Sequence, residues 1–267
     1  MRVSCIQMCS GMDISANLER AAHWLKLASE AGSDIAVLPE NFAFMGGNDA
    51  DKLTVAESED QSRVLTFLAE QAAMLDMAII GGSTALKSER SNRIRNRCVA
   101  FDQRGMRLGV YDKMHMFDVD IDRDSYRESA VVQPGKSPVD IQVKDYHIGL
   151  SICYDVRFPE LYRHYASRKC HALSVVAAFT VPTGKAHWQT LLCARAIENQ
   201  AYVLASAQSG EHPGGRKTWG HTMIVDPWGE VQGILEEGEG IVTADLSMHE
   251  LESVRSQLPA LKHRVMM

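Results

Sequence analysis

The sequence predicts an α/β protein, because short apolar segments rich in β-branched residues alternate with longer segments of helical periodicity. The chain has 267 residues, of which 45% are hydrophobic and 23% charged, which is enough to bury a large core. Its sequence has no short-period repeat, no low-complexity segment and no linker rich in proline or serine. We therefore expect a single domain that covers residues 1–267.

Apolar segments with the length and composition of strands occur along the whole chain. Most of them are apolar on both faces, which is typical of strands that are covered on both sides. The predicted strands are Val3–Met8, Ile35–Pro39, Ala78–Ala85, Cys98–Asp102, Arg107–Tyr111, His147–Ile152, Ala172–Phe179, Tyr202–Gln208, Thr222–Asp226 and Gly240–Asp245.

Segments with apolar residues at helical spacing lie between these strands. In the first of them the residues on one side are Leu18, Ala21, Ala22, Leu25 and Ala28. The predicted helices are Asp13–Ala31, Ser62–Leu75, Pro159–Lys169, His187–Gln200 and Met248–Leu258.

Charge and hydropathy exclude several classes of partner. The chain has 28 basic and 34 acidic residues, and a net charge of -6 does not favour nucleic acid or an anionic membrane surface. No apolar segment has the roughly 18 residues of a membrane-spanning helix, and the N-terminal residues MRVSCIQMCSGMD do not resemble a signal peptide. We expect a cytoplasmic protein that binds a small molecule.

The cysteines and histidines do not form a metal-binding motif. The six cysteines are scattered, which indicates reduced thiols, and there is no His-Glu-x-x-His or paired Cys-x-x-Cys. The sequence also lacks a G-x-G-x-x-G, a P-loop and a G-x-S-x-G motif. We therefore expect no metal and no cofactor.

The segment YHIGLSICYDVRFPELYR, residues 146–163, makes Cys153 a candidate nucleophile. A strand that ends at Cys153 places its thiol at the carboxyl edge of a sheet, where α/β proteins bind ligands. The helix predicted to begin near Pro159 would favour the thiolate through its N-terminus. The alternative is a buried structural cysteine that acts as a small apolar residue.

Two more polar residues follow predicted strands. Glu40 ends the strand in IAVLPENF, and Lys113 follows the strand in LGVYDKMHMFD. A carboxylate can take a thiol proton, a thiolate can attack a carbonyl or nitrile carbon, and an ammonium can stabilise the resulting negative charge. Taken singly, Glu40 is equally suited to cap a loop and Lys113 to carry an exposed charge.

These segments resemble the nitrilase superfamily of carbon–nitrogen hydrolases over essentially the whole chain. The resemblance is carried by LPENF, YDKMHMFDVD, ICYDVRFPELYR, AHWQTLLCARAIENQAYV and WGHTMIVDPWGEV. It implies a four-layer α-β-β-α sandwich, a homodimer that packs helical layers together, and a catalytic Glu-Lys-Cys triad at Glu40, Lys113 and Cys153.

The stretch Met114–Lys136 lacks clear periodicity and is expected to be a functional loop. Within it, the resemblance assigns Glu128 to the second acidic residue that related amidases use to position the substrate or assist proton transfer. The implied mechanism is attack of Cys153 on an amide carbon, with Glu40 as general base and the Tyr154 backbone N–H as an oxyanion donor. Glu40 then protonates departing ammonia and activates the water that hydrolyses the thioester.

Within the superfamily, the sequence is most similar to the amidases that act on deaminated glutathione or α-ketoglutaramate. Both substrates are ω-amides of a 2-oxo dicarboxylic acid, and deaminated glutathione is the preferred assignment. Hydrolysis of an N-carbamoyl amine remains an alternative, because the same triad can catalyse attack on a ureido carbon. A non-catalytic scaffold that retains the fold is a further alternative.

Recognition of a substrate carboxylate requires a cation or directed donors. The candidate cations near predicted strand ends are Arg157, Lys185, Arg216 and Lys217. The candidate pocket-wall residues are Phe179, Thr183 and Trp188, of which Trp188 is equally suited to the core. The glycine-rich segment 210–218 is predicted to be a flexible loop whose Arg216–Lys217 pair meets the second carboxylate of deaminated glutathione.

Overall fold

A computed structural model of the protein describes residues 1–89, 92–121 and 124–265. The helices are α1 (Ile14–Glu30), α2 (Asp51–Val55), α3 (Arg63–Leu75), α4 (Pro159–Ser167), α5 (Val181–Asn199) and α6 (Met248–Gln257). The strands are β1 (Arg2–Gln7), β2 (Ile35–Val37), β3 (Ala78–Ile80), β4 (Thr84–Lys87), β5 (Ile94–Phe101), β6 (Arg107–Asp112), β7 (Asp118–Ile121), β8 (Asp124–Arg127), β9 (Asp140–Val143), β10 (Tyr146–Ile152), β11 (Ala172–Ala177), β12 (Tyr202–Ala207), β13 (Ser209–Glu211), β14 (Lys217–Trp219), β15 (Thr222–Val225), β16 (Val231–Leu235) and β17 (Gly240–Asp245). No helix in these ranges is long and apolar enough to cross a membrane.

Two large sheets form the centre of the molecule. The first has seven strands in the order β17-β1-β2-β3-β5-β4, with β6 also paired to β5. The second has six strands in the order β16-β15-β12-β11-β10-β9. Strands β1, β2 and β3 are parallel in the first sheet, as are β10, β11 and β12 in the second. Their carboxyl ends form the sheet edges at which the functional residues lie.

Alternation along the strands divides the core into layers. On β1, Val3 and Cys5 join the core between the sheets, whereas Ile6 packs in a second core with α1 and α3. On the outer face of the second sheet, the Tyr162 hydroxyl of α4 lies 2.7 Å from the Ser151 hydroxyl of β10. The fold is therefore the four-layer α-β-β-α sandwich that the resemblance implied.

The predicted strand Ala78–Ala85 is in fact two strands, β3 and β4. The chain turns at Gly82, which has a φ of +54°. Gly82 lies so close to the segment after β2 that a Cβ would be 2.1 Å from the Pro39 carbonyl oxygen. Only glycine fits this position. The turn thereby supports the segment that leads directly to Glu40.

Helix α5 begins at Val181, six positions before the predicted start at His187. Pro182 lies in its first turn, where a missing backbone N–H costs no hydrogen bond. The earlier start places Thr183 on the first turn of the helix instead of in a loop.

Both segments that were predicted to be loops contain short hairpins. In Met114–Lys136, β7 pairs with β8 and is followed by a 3₁₀ turn over Glu128–Ala130, while residues 122 and 123 lie outside the described ranges. In 210–218, β13 pairs with β14, and the His212 ring bridges the Ser10 carbonyl at 2.8 Å and the Thr218 hydroxyl at 2.7 Å. The second segment is thus a hairpin anchored by a histidine, and the prediction of a flexible loop was wrong.

Candidate active site

Four side chains that the sequence singles out line one pocket. Glu40 follows β2, Lys113 follows β6, Cys153 follows β10, and Glu128 begins the 3₁₀ turn after β8. All four are buried and line the same pocket. Chain segments that are distant in sequence therefore meet where the edges of the two sheets face each other.

The Glu40 carboxylate is held by donors from several elements. Its Oε1 accepts hydrogen bonds from Asn96 Nδ2 at 2.9 Å and Lys113 Nζ at 3.1 Å, and its Oε2 accepts one from the Ala178 backbone N–H at 2.9 Å. Burial by itself would raise the pKa of Glu40, but the positive charges of Lys113 and Lys52 contribute to a net lowering of the pKa. Glu40 is therefore an ionised carboxylate at neutral pH.

The Lys113 ammonium lies between two carboxylates. It donates to Glu128 Oε1 at 2.9 Å, to Glu128 Oε2 at 2.8 Å and to Glu40 Oε1 at 3.1 Å, which uses all three of its N–H donors. Burial would lower the pKa of Lys113, but the negative charges of Glu128 and Glu40 raise the pKa well above its usual value. Glu128 is itself oriented by the Phe117 backbone N–H, 2.7 Å from its Oε2.

Cys153 has an uncommon backbone conformation. Its φ is +52°, in the left-handed region that costs a residue with a side chain about 1–2 kcal/mol. Burial and the charge of Glu40 raise the pKa of the Cys153 thiol, and Lys113 opposes them only in part. The thiol is therefore protonated in the free protein. The prediction that a helix N-terminus favours the thiolate was wrong, because a 3₁₀ turn over Cys153–Arg157 separates the sulfur from α4.

Asp155 connects the turn at the end of β10 to the strand that carries Lys113. Its Oδ2 accepts hydrogen bonds from the Ile152 backbone N–H at 2.8 Å and the Tyr111 hydroxyl at 2.7 Å. Its Oδ1 accepts one from the His115 backbone N–H at 3.1 Å and lies 2.8 Å from His115 Nδ1. Since Tyr111 and His115 lie two positions before and after Lys113, this fully buried carboxylate sets the position of the lysine relative to the turn.

Four of the five residues that the sequence predicts for substrate binding line the pocket, namely Tyr154, Phe179, Thr183 and Arg216. Arg157 lies behind this wall and is not part of the lining. Its guanidinium carbon lies 5.7 Å from the Tyr154 ring centroid and 5.3 Å from that of Phe179. Arg157 thus contacts two wall residues through cation–π geometry.

The remaining candidates lie away from the pocket lining. Lys185 is exposed, and Lys217 is exposed with its Nζ 3.3 Å from Glu211 Oε2. Trp188 is buried in the core, where its indole N–H donates to the His221 carbonyl at 2.8 Å. Of the two interpretations of Trp188, the structure supports the core residue.

Sequence reasoning missed several residues of the pocket. The lining residues that it did not single out are Asn41, Asp49, Lys52, Phe117, Tyr126, Ala178 and Thr180. Phe117 and Tyr126 belong to the stretch that was predicted to be functional, so its lack of periodicity was a usable signal. Asp49 and Lys52 had no such signal, because a polar segment such as GGNDADKL is typical of any surface loop.

The arrangement supports nucleophilic chemistry. The Glu40 carboxylate lines the same pocket as the Cys153 thiol and is suited to take its proton, and Lys113 supplies a fixed positive charge beside the carboxylate. Within the described part of the chain, no group of three or more histidine, cysteine and acidic side chains is arranged to hold a metal ion. The contacts that organise the pocket are ion pairs and hydrogen bonds between protein groups.

Comparisons of the sequence and of the structure with known proteins point to the same family. The carbon–nitrogen hydrolase family model matches residues 2–256. The chain is 40% identical over 266 residues to a deaminated glutathione amidase from Synechocystis sp., covering 98% of this chain and 97% of that protein. It is 33% identical over 269 residues to omega-amidase NIT2 from Xenopus tropicalis, covering 98% and 94%. The crystal structure of the C. elegans NitFhit protein is similar with a TM-score of 0.91 and 33% identity over 99% of this chain, which spans 65% of that longer chain.

Proposed function

The chain belongs to the carbon–nitrogen hydrolase family, and from this membership we propose that it is an amidase that cleaves deaminated glutathione through a thioester on Cys153. The observation that carries the proposal is that the Cys153 thiol and the ionised Glu40 carboxylate line the same pocket, with the Lys113 ammonium 3.1 Å from that carboxylate. Family membership alone does not establish the catalytic activity, because a protein can keep a fold without keeping the activity of its relatives.

In the first half of the reaction, the sulfur of Cys153 attacks the amide carbon as its proton passes to Glu40. Because the thiol pKa is raised and the Glu40 pKa is lowered, the resting pair is thiol and carboxylate, and proton transfer accompanies the attack. The charge of Lys113 and the backbone N–H of Tyr154 stabilise the oxyanion. Glu40 then donates its proton to the departing nitrogen, and the carbon–nitrogen bond breaks.

In the second half, Glu40 takes a proton from a water molecule that attacks the thioester carbonyl carbon. The carbon–sulfur bond breaks, the proton returns to the Cys153 sulfur, and a carboxylic acid leaves. Glu128 acts through its two contacts with Lys113, at 2.9 and 2.8 Å, which hold the ammonium beside the reacting atoms. Every step uses protein side chains and water, so the proposal includes no cofactor and no metal.

Arg216 supports deaminated glutathione as the substrate. It lines both the inner pocket around Cys153 and an outer cleft that is bounded by Gly47, Tyr126 and Gly214. The leaving amine of deaminated glutathione carries a peptide with a terminal carboxylate, which is too long to share the inner pocket with the acyl group. A guanidinium at the junction of the two spaces is suited to bind that carboxylate.

Omega-amidase activity on α-ketoglutaramate is the second candidate function. One relative at 33% identity has that name, and the acyl half of this substrate is the same 2-oxo dicarboxylate, released with ammonia in place of a peptide amine. Both substrates therefore use the same inner pocket and differ only in the outer cleft. An N-carbamoyl amine is a weaker candidate, because no contact in the pocket favours it.

A panel of substrates tests the function. We expect release of 2-oxoglutarate from deaminated glutathione with a kcat/KM above that for α-ketoglutaramate, and little turnover of N-carbamoylputrescine or an aliphatic nitrile. Product formation is measured by coupled reduction of 2-oxoglutarate and by ammonia release. A preference for N-carbamoylputrescine would contradict the substrate assignment, and the absence of turnover on the whole panel would favour the non-catalytic scaffold.

Substitution Arg216→Ala separates the two best substrates. Loss of a charge-assisted hydrogen bond is expected to lower kcat/KM for deaminated glutathione by about 10- to 100-fold. The loss for α-ketoglutaramate, which has no second carboxylate on its leaving group, should be several times smaller. Lys217→Ala on the same hairpin is the matched control, since Lys217 is exposed, pairs with Glu211 and is not part of the pocket lining. Equal losses on both substrates would exclude this role of Arg216.

We further propose that residues 1–267 act as one domain in a cytoplasmic homodimer. Three exposed apolar side chains near α5 and α6 support a dimer interface, namely Ile197, Trp228 and Leu258, which are 51%, 56% and 50% exposed. The Gln200 side chain donates to the Leu258 carbonyl at 2.6 Å and so joins the two helical segments. Sedimentation of the protein at the mass of a single chain would contradict the dimer.

A further inference from the structure

Lys52 is a buried lysine of the pocket that the mechanism does not use. It lies in α2 and lines the same pocket as Cys153, where its side chain is only 6% exposed. Its Nζ donates one hydrogen bond within the described ranges, to Asp49 Oδ1 at 3.0 Å. An ammonium has three N–H donors, and Lys113 in the same pocket uses all of its own. Lys52 therefore retains donors for a ligand.

Asp49 does not balance the positive charge around it. Its Oδ1 is shared, because Arg216 Nη1 lies 3.9 Å from the same atom that accepts from Lys52. Arg216 also has a buried Nε without a hydrogen-bond partner among the described residues. A buried donor without an acceptor is costly. The cluster of Lys52, Asp49 and Arg216 thus has two positive charges, one negative charge and N–H donors that are not used.

The catalytic end of the pocket has the opposite charge. Glu40 and Glu128 contribute two negative charges against the single positive charge of Lys113. The two ends are electrostatically coupled, because burial raises the pKa of Glu40 while Lys113, and next Lys52, lower it. A ligand with a neutral amide at one end and a carboxylate at the other is therefore oriented by the pocket, with its amide toward Cys153.

The two cations differ in depth. Lys52 lines only the inner pocket, whereas Arg216 lines the inner pocket and the outer cleft. We infer that Lys52 binds the carboxylate of the acyl half of the substrate, and that this contact selects amides of dicarboxylic acids over amides of simple aliphatic acids. The inference rests on the proposed function, since it names the recognition element for the acyl group of the same reaction.

Binding of two small oxo compounds to the full chain tests the inference without turnover. The probes are 2-oxoglutarate and 5-hydroxypentan-2-one. The second compound has the same five-carbon chain and keto group, but a methyl group replaces the carboxylate beside the keto group and a hydroxymethyl group replaces the other carboxylate. We expect calorimetric titration to show that Lys52→Met weakens 2-oxoglutarate binding by about 10- to 100-fold, which corresponds to the loss of a charge-assisted hydrogen bond. Binding of 5-hydroxypentan-2-one, which has no carboxylate, should change less than about 3-fold.

A double variant separates recognition from folding. Lys52→Met alone leaves Asp49 with Arg216, 3.9 Å away, as its nearby cation. Lys52→Met combined with Asp49→Asn removes one positive and one negative charge, so the net charge of the cluster is unchanged. If Lys52 only neutralises Asp49, the double variant recovers both stability and 2-oxoglutarate affinity, which would overturn the inference. We expect recovery of the melting temperature and continued loss of 2-oxoglutarate affinity.

Lys26→Met is the matched control, because Lys26 is 69% exposed on α1 and pairs with Glu30 at 3.6 Å. It should leave the affinity for both probes unchanged. Equal loss of both probes in Lys52→Met, or equal affinity of the wild-type protein for both, would contradict the inference. A failure of the proposed function gives a different result, because deaminated glutathione would not be hydrolysed while 2-oxoglutarate binding still depended on Lys52.

Discussion

Substitution Cys153→Ala is expected to lower kcat on deaminated glutathione by about 10⁴- to 10⁶-fold, the range for removal of a covalent nucleophile. Lys113, which also contacts Glu40, cannot replace Cys153 as the nucleophile. Its pKa is raised well above the usual value, so its amine stays protonated. The folded state should be little affected. Alanine retains the Cβ, and Glu40 retains the hydrogen bonds from Asn96, Lys113 and Ala178.

The measurement combines steady-state turnover with mass spectrometry of the protein quenched during reaction. The wild-type chain should gain the mass of the acyl group on the peptide that contains Cys153, and the variant should not. Cys193→Ala, at a partly buried position on α5, is the control that should retain both activity and the adduct. Turnover by Cys153→Ala within tenfold of wild type would exclude the thioester mechanism.

Lys113→Met is expected to cost about 3–5 kcal/mol of stability as well as the activity, because it leaves buried charges without their partner. Glu40 and Glu128 would then share the pocket without the ammonium that contacts both. Without the Lys113 charge that lowers it, burial would raise the pKa of the Glu40 carboxyl group in the folded variant. A carboxyl group with a raised pKa destabilises the fold when it is ionised, so the deficit is largest at neutral pH and shrinks on acidification.

Urea unfolding of wild type and variant between pH 5 and 8 measures this effect. Adding Glu128→Gln to Lys113→Met should recover part of the stability at pH 7 without any activity, since one of the two unpaired charges is removed. Lys26→Met on the surface should change stability by less than about 1 kcal/mol. A Lys113→Met variant as stable as wild type at pH 7 would show that the ammonium does not hold the two carboxylates.

The sequence predicted more of the site than a local pattern normally allows. Glu40, Lys113 and Cys153 each follow an apolar strand, and the carboxyl ends of strands are where side chains leave the layers of an α/β fold. The resemblance then placed Glu128 beside them, and the structure brings all four into one pocket. Asp155 was missed although it lies in the same segment as Cys153, because a carboxylate in a turn gives no sign of which backbone donors it will meet.

The bounds of the strands and helices were also predicted only in part. Strand and helix positions agree closely for β1, β10, α1 and α3, where apolar periodicity extends over one continuous segment. The split of Ala78–Ala85 and the hairpin in segment 210–218 were not predicted, because both depend on neighbours in space. At Gly82 that neighbour is the Pro39 carbonyl, and in segment 210–218 it is the Ser10 carbonyl, which lies 2.8 Å from His212 Nδ1.

The sequence by itself determined the alternation of strands and helices and the family, and it predicted a nucleophile with an acidic and a basic partner. These properties depend on residue types and short spacings, which are written along the chain. Only the tertiary structure decided the protonation of the Cys153 thiol, the saturation of Lys113 by carboxylates and the presence of Lys52 in the pocket. Those properties are sums of burial and charge over segments that are distant in sequence, so they exist only once the two sheets have packed together.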